Sequence, residues 1–223
     1  MTTRKDFIAA GTLAAALATT AAPASSAQGA SSPKLDFDLA SFVAQLGGPQ
    51  PHKHLFAAIE INGGEIFGAM RNTLNAYRDI GVPWSQVLPV AVLYHSYAVL
   101  LGLDDAFWNQ YVIPFARKLP YGSPGARQIA TIHKEGMSGN GALTDLRKLV
   151  ADAGARFFLC NNAARGFSSS IGSTLGLPPD PIYADLAKHL APNTTLVPAG
   201  VWAVHAIQEQ HFTLLQTSLL SEG

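Results

Sequence analysis
Five short apolar runs punctuate this chain: HLFAAIEI at 54–61, VLPVAVLY at 87–94, RFFL at 156–159, TTLVP at 194–198 and FTLLQ at 212–216. Short apolar runs set between glycine, proline and asparagine clusters are the pattern of buried strands. Between them the apolar residues recur at three and four. Ile66, Met70, Leu74 and Tyr77 do so in Glu65–Asp79, and Val201, Val204, Ala206 and Ile207 in Gly200–Gln210. That spacing predicts helices there and over Leu143–Ala153, Ala163–Leu175 and Tyr183–Leu190. A helix from His95 to Leu101 leads straight out of the second run. Another over Leu103–Leu119 takes Asp104 as its N-cap and is broken or kinked at Pro114. The order of elements predicts an α/β fold, an open, mainly parallel sheet covered by helices on both faces.

Two stretches fall outside this rhythm. Ala30–Pro51 is rich in serine, proline and glycine and reads as an extended arm with one amphipathic patch, Leu35–Leu46. Pro120–Gly141 is glycine-rich and reads as a long loop around a short helix, Ala126–Lys134. Loops of that length in a compact domain often serve function or an interface.

The run at 156–159 ends on the chain's single cysteine, Cys160, and a helix begins a few residues later. In a parallel sheet this is a strand's carboxyl end meeting a helix start. Backbone N–H groups and the helix dipole favour negative charge there, and the thiolate is the attacking form of cysteine. The competing reading is a small buried hydrophobe, which free cysteines commonly are. Asn161 and Asn162 can add donors and Arg165 can pair with an anion. Equally, the asparagines suit turn and capping chemistry and Arg165 a solvated helix position. His95 follows the second run and shares this sheet edge, where an imidazole can stabilise a thiolate or act as a base, or simply cap the next helix. Glu60 and Asn62 close the first run on the same edge. Asn62-Gly63-Gly64 suits a tight anion-binding turn but lacks the full glycine pattern of a phosphate or dinucleotide loop.

Composition narrows the classes. The 223 residues suffice for one domain with a sizeable core. Charged residues make up 13% and hydrophobic residues 48%, which argues against disorder. Formal net charge is zero and no Lys/Arg-rich run occurs, so nucleic acid is not an expected partner. One cysteine excludes an intramolecular disulfide and a Cys–Cys metal cluster. His52-x-His54 and the pair His205 and His211 lack an accompanying carboxylate cluster, so neither a metal nor a cofactor is expected. Ser168-Ser169-Ser170 lacks the Gly-x-Ser-x-Gly elbow of serine hydrolases. Trp84, Trp108 and Trp202 suit packing or subunit contacts.

The amino terminus has the form of an export signal, residues 1–27. Arg4 and Lys5 precede the weakly hydrophobic run Ile8–Ala22. Small residues follow, and Ala22-Pro23-Ala24 or Ser25-Ser26-Ala27 fits cleavage. Thr3-Arg4-Lys5-Asp6-Phe7-Ile8 resembles a twin-arginine signal with lysine in the second arginine's place, which leaves a general secretory signal as the alternative. The expectation is a periplasmic protein with no membrane span after signal removal, an arm at 28–51 and an α/β domain at 52–223.

The strand, Cys-x-Asn and helix sequence, with Val197-Pro198-Ala199-Gly200-Val201 and the later Gln208, resembles the DsrE/DsrF-like family over roughly Pro51–Gln216. The resemblance implies a flavodoxin-like three-layer arrangement and a homotrimer or larger oligomer. It also implies sulfur relay through Cys160, as a sulfurtransferase or persulfide carrier, with a sulfur donor or acceptor protein or a small sulfur compound as partner. The motif carries over to Cys160 and to the turn at Gly200 and Val201. The chain departs from it at Gln210-His211-Phe212, where relatives tend to have glycine after the glutamine, and in the longer stretch Ser168–Pro192. The alternative is a non-catalytic periplasmic oligomer that binds a small anion or a partner at this edge, with Cys160 structural. Flavin binding is suggested by fold analogy alone.

Overall fold
The computed structural model describes residues 35–95 and 97–217. The signal-like segment lies outside them. Within them, β1 (His52–Ala58), β2 (Val87–Leu93), β3 (Arg156–Cys160), β4 (Thr194–Val197) and β5 (Thr213–Thr217) form one sheet in the order β4-β3-β2-β1-β5. Every neighbouring pair is parallel. This is a three-layer α/β fold of flavodoxin-like kind. In flavodoxin itself the second strand lies outside the first, whereas here the last strand does.

That order explains how the helices are shared between the faces. The chain steps from β1 to β2, β3 and β4 in one direction and then returns past them to β5. Crossovers of one hand place helices on one face while the chain advances and on the other when it turns back. Accordingly α2 (Glu65–Asp79), α6 (Leu143–Ala153), α7 (Asn161–Leu175) and α8 (Pro179–Lys188) pack on the face that presents Phe56, Ala91, Phe157 and Leu159. The return helix α9 (Gly200–Gln208) packs on the opposite face, against Leu55, Val90, Val92 and Phe158. The strand residues alternate between the two cores as the pleat requires.

The arm adds the second helix of that thinner layer. α1 (Leu39–Leu46) is capped by Asp38, whose carboxylate accepts from the Ala40 N–H at 2.9 Å. It buries Phe42 and Leu46 against the sheet, with the Phe42 ring 5.0 Å from that of Phe158. The described part of the arm is thus built into the core. Fully burying two such side chains contributes on the order of 1.5–3 kcal/mol each.

Two stretches depart from the sequence pattern. The segment after β2 is not an α-helix from His95. His95 and Tyr97 lead into a 3-10 turn, Ala98–Gly102, in which all five residues are buried. A segment buried on all sides carries no polar stripe from which its period can be read. The helical run through Pro114 is held by a wider turn: α3 (Asp105–Phe107) passes through a π turn, Trp108–Val112, into α4 (Ile113–Lys118). Pro114 sits in the first turn of α4, where a missing N–H costs little. Asp104 is the N-cap, accepting from Phe107 N–H at 3.0 Å.

Candidate functional site
All five strands run the same way, so the segments after β1, β2, β3 and β4 meet along one edge. Cys160 ends β3 there and is the N-cap of α7, with extended backbone (φ −67°, ψ 113°). Its Sγ accepts the N–H of Ala163 at 3.4 Å. The first turn of α7 contains no carboxylate, so nothing acidic on the helix competes for that end of the dipole. The residue is 7% exposed.

Register decides which residue stands beside it. Leu93 pairs with Leu159, so Tyr94 is the next position along β2 and lies abreast of Cys160. Tyr94 is half-buried, and burial pushes its phenol pKa above the ordinary tyrosine value. Gly200, the first residue of α9, closes the group. A Cβ at Gly200 would lie 2.0 Å from the Cβ of Tyr94 and 3.2 Å from the Cβ of Cys160. Only glycine lets the α9 backbone approach this closely. The turn at Gly200 therefore abuts the cysteine, while Val201 faces solvent.

The other candidates are placed as follows. His95 lies one residue past Tyr94 with a left-handed backbone (φ 78°) and an exposed side chain. It shares the edge, but Tyr94 occupies the position abreast of Cys160. Asn161 is buried and accepts a hydrogen bond from the Tyr183 hydroxyl, which ties α8 to the first residue of α7. Asn162 is exposed. The Arg165 guanidinium lies over the Tyr183 ring, 4.1 Å from its centroid. Asn161, Tyr183 and Arg165 thus form one group that holds the start of α7 in place.

Glu60 and Asn62 follow β1, two strands from Cys160 and so roughly 10 Å away across the sheet. Asn62 donates to the Glu65 carboxylate at 2.6 Å. The N–H groups of the Asn62-Gly63-Gly64 turn are already engaged. Gln128 Oε1 accepts from Ile61 and Asn62 at 2.8 and 3.3 Å, and Thr131 Oγ1 accepts from Gly63 at 2.9 Å. The turn docks the helix α5 (Pro124–Ala130) and its end. The structure does not bring this turn and Cys160 together.

His52 and His54 sit at the opposite edge. The Thr213 hydroxyl donates to the Lys53 carbonyl at 3.3 Å, so it accepts a hydrogen bond from His54 Nδ1–H at 2.7 Å. His54 Nε2 is then the acceptor for the Tyr77 hydroxyl at 2.8 Å. Both ring nitrogens of His54 are thereby used in joining β1, β5 and α2. Among the described residues no group of three or more His, Cys, Asp or Glu side chains is arranged to hold a metal ion. No helix among them is long and apolar enough to cross a membrane.

Tyr94 and Tyr183 are the two site residues that the sequence pattern did not single out. Tyr94 reads as the last apolar position of a strand, and only register makes it the neighbour of Cys160. Tyr183 reads as a helix position, and only the docking of α8 on α7 gives its hydroxyl a partner.

No family model matches the chain. No curated protein matches it either. Among solved structures it is similar to a protein of unknown function, MTH1491 from Methanobacterium thermoautotrophicum, at 14% identity and a TM-score of 0.41. That likeness covers 74% of this chain and 98% of the other. The fold assignment therefore stands on the sheet and its layers.

Proposed function
We propose that this protein is exported and handles sulfur through Cys160, as a sulfurtransferase or persulfide carrier. The observation that carries the reading is the position of the sulfur. Sγ of Cys160 accepts an N–H at the start of α7, at the edge of a parallel sheet where anions are favoured. A thiolate in that place gains from the same N–H groups that stabilise any anion at a helix start.

The chemistry balances without an outside oxidant or reductant. The Cys160 thiolate attacks the outer sulfur of a donor persulfide or of thiosulfate. A sulfur–sulfur bond forms at Cys160, the donor's own bond breaks, and its electron pair leaves with the donor as thiolate or sulfite. An acceptor thiolate then attacks the outer sulfur of the Cys160 persulfide, and Cys160 departs as thiolate. The chain holds no second cysteine, so the acceptor belongs to another molecule.

The amino-terminal pattern of Arg4, Lys5, an Ala/Leu-rich run and small residues supports export to the periplasm, by the twin-arginine route. The resemblance to DsrE/DsrF-like proteins supports a homo-oligomer. The exposed side chains of Leu39, Val43 and Val201, on the α1 and α9 layer, are apolar surface that such an assembly would cover.

One observation favours the second reading, a non-catalytic oligomer with a structural cysteine. Cys160 exposes little surface, and Gly200 packs its backbone against it. Alkylation separates the two. With iodoacetamide at neutral pH, labelling of Cys160 in the folded protein supports sulfur chemistry. Labelling that begins only on denaturation supports the structural role and sinks the relay.

A further inference from the structure
The amino edge of the sheet, opposite Cys160, carries an independent polar feature. A cavity of about 440 Å³ lies between α1 and the starts of β3 and β4. It is lined by Ser41, Ala44, Gln45, Arg156 and Asn193. Arg156 is the first residue of β3. Phe157 and Phe158 face opposite cores, so the pleat turns Arg156 to the same side as Phe158, towards α1.

Arg156 is unusual for an arginine. Its Nη1 is shut off from solvent and has no hydrogen-bond partner among the described residues. Burial lowers its pKa from the ordinary arginine value. The residue as a whole is half-buried, and the one nitrogen shut off without an acceptor is costly. The cavity wall supplies no counter-charge, since no carboxylate lines it. What the wall supplies is further donors. Gln45 Oε1 already accepts from the Thr195 hydroxyl at 3.3 Å, which leaves the Gln45 amide N–H groups for the cavity. Ser41 adds a hydroxyl. Asn193 Nδ2 is engaged with the Ala155 carbonyl at 3.3 Å, which leaves its Oδ1 as an acceptor that can meet a hydroxyl of the same ligand.

A full positive charge, neighbouring donors and no internal acid make a receptor for negative charge. We propose that this cavity binds a small molecule carrying an oxyanion group, seated on the Arg156 guanidinium with Gln45 and Ser41 as additional donors. The planar fork of arginine suits two oxygens at once. The volume falls in the range of small-molecule pockets, larger than a bare oxyanion needs. Because α1 forms one wall and the sheet the other, the bound group clamps α1 to the strands.

The test uses the full chain with inorganic phosphate and, separately, acetate, at constant ionic strength made up with chloride. The expected result is saturable binding by calorimetry and a saturable rise in Tm with at least one of the two. Which probe binds separates a phosphate from a carboxylate head. Arg156→Gln weakens that binding about tenfold or more, the scale of a lost charge-assisted bidentate contact. Gln45→Ala weakens it less and serves the same purpose if Arg156→Gln does not fold. No saturable response beyond chloride to either probe, or equal binding by wild type and the folded variants, overturns the proposal.

Discussion
At the scale of single residues, the fold depends on a few buried polar side chains that lie outside the strands. Asn140 is the clearest. It is buried, and its Nδ2 lies within hydrogen-bond reach of the carbonyls of Leu100, Leu101 and Leu103, closest to Leu103 at 2.8 Å. Its Oδ1 accepts from Ala142 at 3.0 Å. Leu100 and Leu101 belong to the buried 3-10 turn and Leu103 follows it, and the Leu100 carbonyl also accepts from Trp108 Nε1 at 2.9 Å. Asn140→Ala removes the side-chain donor from the Leu101 and Leu103 carbonyls and the acceptor of the Ala142 N–H, and denaturant unfolding is expected to show a loss of about 1–3 kcal/mol. A change within about 0.5 kcal/mol, the scale of an ordinary surface substitution, contradicts that role. In the sequence this residue sits in Ser138-Gly139-Asn140-Gly141, which reads as an ordinary turn. The side chain's partners lie some forty residues away, and no local pattern announces them. Cys160 is the opposite case. Its junction of strand and helix was legible, because an apolar run and a helical period abut there.

At the scale of elements, hydrophobic period recovered the five strands and most of the helices, with boundaries shifted by a few residues. It recovers them because β1 to β4 bury residues on both faces and each helix on one, while the edge strand β5 keeps an apolar run although Leu214 and Leu215 are exposed. The elements it misjudged follow different physics. The 3-10 turn at Ala98–Gly102 is buried all round, and the π turn before Pro114 makes room for a proline that the period alone places in a kink. How elements are tied together is likewise a tertiary matter. His54 joins β1 to β5 and α2 through both ring nitrogens, and burial first, then the nearby His52, holds its pKa below the ordinary histidine value. The folded state therefore favours the neutral ring. Its contribution is present above the unfolded value of about 6.5 and is lost as pH falls from there through the folded value, since only the unfolded chain takes up the proton in that window. Thermal melts from about pH 5 to about pH 7.5 should show wild type losing Tm on acidification more steeply than His54→Gln. Parallel curves for the two proteins contradict the assignment.

At the scale of the whole molecule, strand order organises everything else, and the sequence contains no signal for it. The order β4-β3-β2-β1-β5 places three long connections on one face and leaves, among the described residues, α1 and α9 on the other. The thin layer exposes Leu39, Val43 and Val201. Sedimentation of the full chain is expected to show a trimer or larger species, which Val201→Lys weakens by placing a charge in the apolar surface. A monomer at micromolar concentration contradicts the oligomer reading. The same order sets Cys160, Tyr94 and Gly200 side by side on the carboxyl edge and leaves Glu60 and Asn62 two strands away. The sequence placed Cys160, Glu60 and Asn62 on one edge, but their separation along it required the strand order.

The central claim is that Cys160 carries sulfur. Its most direct test is the intact mass of the protein after incubation with thiosulfate or an inorganic polysulfide, with Cys160→Ser as the control. The account predicts a gain of one sulfur atom on the wild-type chain, lost on addition of a small thiol and absent from the variant. A folded wild-type chain whose mass does not change, or a variant that gains the same sulfur, contradicts it.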